Sequence, residues 1–72
     1  MDLKTARRLK PGDQVVAGIT DAGLRGYREG QILTVHSNDP CGPHKATRWL
    51  TFEGGRIGLS DYVVADHFDP AA

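Results

Sequence analysis

Cysteine is almost absent from the sequence. The chain has 72 residues and a single cysteine, Cys41, so no disulfide can form within it. A protein without disulfides suits a reducing compartment. Long apolar runs are also missing, because no stretch approaches the roughly 20 residues of a membrane span. No apolar run of signal-peptide length follows the charged N-terminus either. We therefore expect a cytoplasmic protein that does not bind a membrane.

Helix-forming sequence is scarce as well. Nine glycines and four prolines are spread along the chain, and both residue types interrupt helices. The only helix signal covers residues 3–9, within a basic N-terminal arm at residues 1–10. The arm ends at Pro11-Gly12, which is a turn signal. We predict that the arm is irregular or forms a short helix.

An excess of positive charge is also absent. Nine Lys and Arg residues balance nine Asp and Glu residues, which argues against a domain held on nucleic acid by its overall field. The charges are unevenly distributed, however, because the arm is basic while residues 59–72 contain aspartates but no Lys or Arg. Either the two ends lie side by side and neutralise each other, or the arm contacts an acidic partner.

The sequence does contain alternating apolar and polar residues, which is typical of strands. Leu50 and Phe52 share one face of a predicted strand, and Trp49 lies on the other. Gly54-Gly55 predicts a two-residue hairpin turn, because both central residues of a type I′ turn need positive φ. The predicted strands cover residues 14–19, 31–36, 47–53, 56–59 and 63–68, and residues 69–72 are predicted to form a disordered tail.

Five short strands leave an apolar sheet face that must be covered. A small barrel covers it by curling the sheet onto itself. We therefore predict an all-β fold, a five-stranded barrel over residues 11–68 preceded by the short irregular or helical arm.

Several turn and strand motifs resemble those of the SH3-like barrel superfold. The run PGDQV at residues 11–15 resembles the GD-x-V opening of these barrels. The run EGQI at residues 29–32 resembles the start of their second strand, and LTF followed by Gly-Gly resembles their third strand and distal hairpin. The run LSDYV at residues 59–63 is similar to the single 3₁₀ turn before their last strand. The resemblance implies a five-stranded barrel over roughly residues 9–68.

The resemblance leaves the function open, since this superfold hosts peptide binders, assembly modules, nucleic-acid binders and a few enzymes. Our leading hypothesis is a small non-catalytic binding or adaptor module for a protein partner. The alternative is a nucleic-acid-binding module of the KOW or Tudor kind. A small metal-binding or enzymatic barrel is the second alternative.

The candidate binding residues combine aromatic rings and cations, which are enriched in binding hot spots. The loop at residues 20–29 borders the usual binding face of such barrels. Its Tyr27 could instead fold back and close the barrel, and Trp49 could be either a lid or an anchor for a partner. The predicted binding residues are Arg25, Tyr27, Arg28, Trp49 and Tyr62.

Cys41 and His44 lie in a short run that could hold zinc or a nucleophile. Zinc needs four ligands, and a reactive cysteine needs a base held by a third group. Two prolines and a glycine in the same run indicate an ordinary surface loop instead. We therefore expect no catalytic residue, no metal and no cofactor.

Overall fold

The computed structural model describes residues 1–18, 27–43, 46–54 and 58–71 of the chain. Five strands form one antiparallel sheet in the order β4-β3-β2-β1-β5. The all-β prediction is confirmed in part: the fold is mostly β structure and the sheet curls, but it remains a half-barrel that does not close and short helices accompany it. The elements are α1 (Leu3–Arg7), β1 (Gln14–Ala17), β2 (Ile32–Cys41), β3 (Thr47–Phe52), β4 (Leu59–Ser60), α2 (Asp61–His67) and β5 (Phe68–Pro70).

The long strand β2 bends the sheet. Its first residues pair with β1, and its later residues pair with β3. The register shifts between Val35 and Ser37, which leaves His36 as an extra residue. A bulge of this kind bends the strand and increases its twist, so β2 belongs to both halves of the curled sheet.

The core fills the concave side of the sheet. Alternate residues of the central strands are buried, as the period of a half-buried strand requires. Phe52 and Phe68 stack with their ring centroids 5.6 Å apart. The prediction that Leu50 and Phe52 face inward and Trp49 outward is confirmed. The buried apolar residues are Ala6, Leu9, Val15, Ala17, Leu33, Val35, Leu50, Phe52, Val64 and Phe68.

The strand predicted at residues 63–68 is wrong for residues 63–67, which belong to α2, while Phe68 begins β5. Ser60 is the N-cap, and its hydroxyl accepts a hydrogen bond from the Val63 N–H. A capping serine followed by an acidic residue in the first turn favours a helix start. Two adjacent valines suggested a strand, but only Val64 is buried. Local capping and burial of one face therefore override the β propensity of valine.

The last strand begins after α2 and pairs with β1. Phe68 lies opposite Ala17, and Asp69 and Pro70 lie opposite Val16 and Val15. Asp69 and Pro70 were predicted to belong to a disordered tail, but they complete β5. Backbone pairing to β1 holds them there, and sequence composition does not reveal such pairing.

The N-terminal arm packs against the rest of the fold through α1. Asp2 caps this helix by accepting the Thr5 N–H at 2.7 Å. Ala6 and Leu9 are buried in the core. The Met1 amino group donates to the Asp69 carboxylate at 3.0 Å. The basic and acidic ends thus lie side by side, which is the first of the two interpretations of the charge distribution.

The hairpin between β3 and β4 has the predicted antiparallel pairing. Leu50 lies opposite Leu59, and this register is centred between positions 54 and 55. Gly54 has φ of 72°, the left-handed region that glycine adopts readily. Residues 55–57, which include the start of the predicted fourth strand, lie outside the described residues.

Within the described part of the chain, neither helix has the length and apolar character that crossing a membrane would require.

Candidate functional site

The outer face of β3 carries the most prominent aromatic side chain. Trp49 is 43% exposed, although it lies between two paired strands. Its Cα partners are Asp39 on β2 and Ser60 on β4. We call the outer side of β2 and β3 the Trp49 face. It carries Ser37, Asp39, Thr47, Trp49 and Thr51.

The indole of Trp49 lies against Gly58, just before β4. A methyl group at Gly58 would overlap the indole Nε1 and would also crowd Cε2 and Cδ1. Glycine is therefore the residue that leaves room for the ring at this position. One side of the indole contacts the backbone, and the remainder is available to solvent.

The residues around Trp49 are small and polar. The hydroxyls of Ser37 and Thr51 share a hydrogen bond across β2 and β3. His36 Nδ1 lies 3.3 Å from the Thr51 hydroxyl. Ser37, His36 and Thr51 thus bind one another on the strands beside Trp49.

Tyr62 is the second exposed aromatic residue of the described chain. It is 54% exposed and lies in the first turn of α2, two residues after the partner of Trp49. The Cα atoms of Trp49 and Tyr62 are therefore within about 13 Å of each other. The Arg7 guanidinium lies over the Tyr62 ring, with Cζ 5.8 Å from the ring centroid, a cation–π arrangement.

The buried carboxylate of Asp61 fixes the backbone next to both aromatic residues. Its Oδ2 accepts the Arg7 Nε–H at 2.8 Å and the Arg48 N–H at 3.2 Å. Its Oδ1 accepts the Tyr62 N–H at 2.8 Å. The hydrogen bond from Arg7 to this carboxylate raises the pKa of Arg7 above its ordinary value. Asp61 thus links α1, β3 and α2 beneath the Trp49 face.

Asn38 extends this polar network to the end of α1. Its Nδ2 donates to the carbonyl oxygens of Leu9 at 2.6 Å and of Arg7 at 3.3 Å. Its Oδ1 accepts the Arg48 Nε–H at 2.7 Å. The Arg48 side chain is therefore directed inward and away from the Trp49 face.

Sequence reasoning missed the supporting residues Arg7, Asn38, Gly58 and Asp61. The Ser60-Asp61 pair carries a helix-start signal that could have indicated α2. The Arg7–Asp61 pairing joins residues 54 positions apart, and no local pattern reveals a contact at that separation.

The predicted loop residue Tyr27 does not join the Trp49 face. Tyr27 packs edge-on against Phe52 and Phe68, with centroid distances of 6.0 and 5.7 Å. Because Phe52 faces the core, Tyr27 and Trp49 lie on opposite sides of β3. Burial raises the pKa of the Tyr27 hydroxyl. This placement corresponds to the alternative in which Tyr27 folds back onto the barrel.

Of the two loop arginines, the structure describes Arg28. Arg28 is exposed, and its backbone N–H donates to the Gln31 Oε1 at 3.0 Å. Arg25 lies outside the described residues. The structure therefore places Trp49 on the outer face of β3, Tyr62 beside Arg7 at the start of α2, and Tyr27 against the core.

Cys41 is exposed at the end of β2, opposite Thr47. The strand thus extends through a segment that the sequence indicated as an irregular loop. His44 lies outside the described residues. In residues 1–18, 27–43, 46–54 and 58–71, no three His, Cys, Asp or Glu side chains are grouped closely enough to hold a metal ion.

No model of a known protein family, no curated protein and no solved structure matches this chain. The geometry of the Trp49 face is therefore the basis for inferring function.

Proposed function

We propose that the protein is a small non-catalytic binding module whose Trp49 face docks a protein partner. The observation that carries the proposal is the position of Trp49, 43% exposed on the outer face of β3 between β2 and β4. Tryptophan is among the residues most enriched in binding hot spots. Burying its exposed area against a partner would remove apolar surface from water, which favours association.

The support beneath Trp49 strengthens the proposal. Gly58 leaves room for the pyrrole part of the indole, and Asp61 binds the backbone N–H groups of Arg48 and Tyr62. A side chain that is already held loses less conformational entropy on binding. Tyr62, exposed in the first turn of α2, supplies a second contact with the partner.

We also propose that the half-barrel is of the SH3-like kind and that the module acts in the cytoplasm. The order β4-β3-β2-β1-β5, with a short helical segment between the last two strands, agrees with the SH3-like motifs in the sequence. The exposed free thiol of Cys41 suits a reducing compartment.

A nucleic-acid ligand is the second candidate function. Lys4 and Arg8 are exposed on and just after α1, and Arg7 lies beside the exposed Tyr62 ring. Cations next to an aromatic ring suit a phosphate backbone with stacked bases. The net charge of zero favours a protein partner instead, because phosphate neutralisation supplies most non-specific affinity for nucleic acid.

The proposal is tested with an immobilised wild-type domain, a Trp49→Ala variant and an Ile32→Ala control. Ile32 is 60% exposed but lies on the part of β2 that pairs with β1. We expect specific proteins retained from a cell extract to be lost with Trp49→Ala and kept with Ile32→Ala, with circular dichroism unchanged. Equal retention by all three proteins would contradict the proposed site.

The nucleic-acid candidate has its own measurement. Labelled random oligonucleotides are titrated against the protein at about 150 mM salt, where ordinary non-specific binding is weaker than micromolar. We expect weak or no binding. Submicromolar affinity that is lost in a Lys4→Ala, Arg8→Ala double variant would move nucleic acid to first place.

A further inference from the structure

Asp39 and Trp49 form a directly opposed pair across β2 and β3. Directly opposed residues of an antiparallel pair point to the same face, with Cβ atoms about 5 Å apart. Asp39 is exposed, and Trp49 is partly so. A carboxylate and an indole are therefore presented together, at a spacing that one bound side chain can span.

The Asp39 carboxylate has no hydrogen bond or ion pair with any residue that the structure describes. The nearby described arginines are engaged elsewhere. Arg48 binds Asn38 on the inner side of the sheet, and Arg7 binds Asp61. Glu53, exposed where β3 ends, adds a second negative charge near the same strand.

We propose that Asp39 and Trp49 form a subsite for a cationic side chain, an arginine or lysine, on a basic segment of the partner. This inference rests on the proposed function of the Trp49 face. An indole attracts a cation to its ring face, and a carboxylate forms charge-assisted hydrogen bonds with the same cation. Arginine fits best, because its planar guanidinium stacks on an aromatic ring and pairs with a carboxylate.

The alternatives for this face are distinguishable by charge. A neutral segment would use Trp49 alone, and its binding would not depend on Asp39. An acidic segment would be repelled by the Asp39 carboxylate and would bind more tightly when that charge is removed. The basic segment is the occupant whose charge complements the face.

The test uses random peptide libraries in which one central position is fixed as arginine, citrulline or glutamate. Citrulline keeps the shape of arginine and removes its charge. Each library is titrated at physiological ionic strength, and binding is followed by the emission of Trp49, the single tryptophan of the chain. Asp39→Asn is compared with Asp66→Asn, an exposed site on α2. Both variants raise the net charge by one, so only the position of the lost carboxylate differs.

We expect the wild type to prefer the arginine library and Asp39→Asn to lose that preference by about fivefold, the upper range for an exposed ion pair. Asp66→Asn should keep it. Equal binding of the three libraries, or preference for glutamate, would overturn the cationic subsite while leaving the Trp49 face as a docking site. An arginine preference that Asp39→Asn does not change would also overturn it. No change in Trp49 emission with any library would overturn the subsite and contradict the proposed function together.

Discussion

Arg7 Nε lies 2.8 Å from Oδ2 of Asp61, a carboxylate with no exposed surface. The pair joins α1 to α2, and the same oxygen binds the backbone of β3. A buried carboxylate must have its hydrogen bonds satisfied, because an unpaired buried charge is strongly destabilising. The site beneath the two exposed aromatic residues therefore depends on a single aspartate.

Replacing Asp61 should lower the stability of the domain. Asp61→Ala removes the acceptor for three donors, and we expect it to lower the free energy of unfolding by about 3 kcal/mol. Urea unfolding followed by circular dichroism measures the change. Asp66→Ala, an exposed position on the same helix, is the control and should stay within about 0.5 kcal/mol of wild type. Equal midpoints for the two variants would show that Asp61 does not hold α1, α2 and β3 together.

The hairpin after β3 should depend on the positive φ of Gly54. Gly54→Val should lower the free energy of unfolding by more than about 1 kcal/mol, because a side chain with a Cβ is disfavoured in the left-handed region. Gly54→Asn should have a smaller effect, since asparagine adopts that region more readily. Thermal unfolding compares the two variants, and a valine variant as stable as the asparagine variant would rule out this account of the turn.

Gly58 should control the position of the Trp49 ring. Gly58→Ala places a methyl group where the indole Nε1 lies, so the ring must move away from Gly58. We expect a red shift in Trp49 emission and lower anisotropy, with the fold retained because a side chain can move where backbone cannot. Unchanged emission would mean that the ring does not rest on Gly58.

A second measurement separates displacement of the ring from a general loss of stability. In a Trp49→Phe background, Gly58→Ala should cost less in melting temperature than in the wild type, because phenylalanine lacks the pyrrole portion that overlaps the methyl group. The two substitutions should be non-additive, as expected for residues in contact. Additive effects would indicate that Gly58 acts independently of Trp49.

Tyr27 should make the domain sensitive to alkaline pH. Burial raises the pKa of Tyr27 in the folded state, while the unfolded chain keeps a value of about 10. Its contribution to stability is therefore complete below pH 10 and is lost as the pH rises through the folded-state value. In a Tyr62→Phe variant Tyr27 is the only tyrosine, so absorbance at the tyrosinate band reports it alone. A midpoint at or below 10 would contradict this burial effect.

The control for the alkaline prediction removes the hydroxyl. Tyr27→Phe keeps a ring against Phe52 and Phe68 but cannot ionise. Its stability should lack the component of alkaline loss that Tyr27 contributes in the wild type. Identical pH profiles above 10 for the two proteins would assign the loss to other groups.

The sequence predicts the features that depend on local pattern. Alternation places Leu50 and Phe52 inside and Trp49 outside, and Gly54 identifies the turn. The segment at residues 63–68 is missed, because two valines favour a strand while the Ser60 cap and the burial of Val64 favour a helix. Such competition is decided by tertiary packing rather than by propensity.

The residues that support the candidate site could not be predicted from local sequence patterns. Asp61 meets Arg7 from the other end of the chain, and Asn38 meets backbone carbonyls near the end of α1. From the sequence, Tyr27 could lie either on the binding face or against the core. Its edge-on contacts with Phe52 and Phe68 place it against the core. Contacts between distant residues have no periodic signal to predict them.

The two edge strands of the sheet, β4 and β5, also affect how the protein behaves in concentrated solution. Among the described residues β4 comprises Leu59 and Ser60, and β5 ends with Pro70, which has no N–H to donate. An incoming strand from another molecule would find few backbone hydrogen bonds at either edge, which is how natural sheets resist strand-to-strand aggregation. In the part of the sheet that the structure describes, an exposed tryptophan therefore stands beside edges that offer little template for fibre growth.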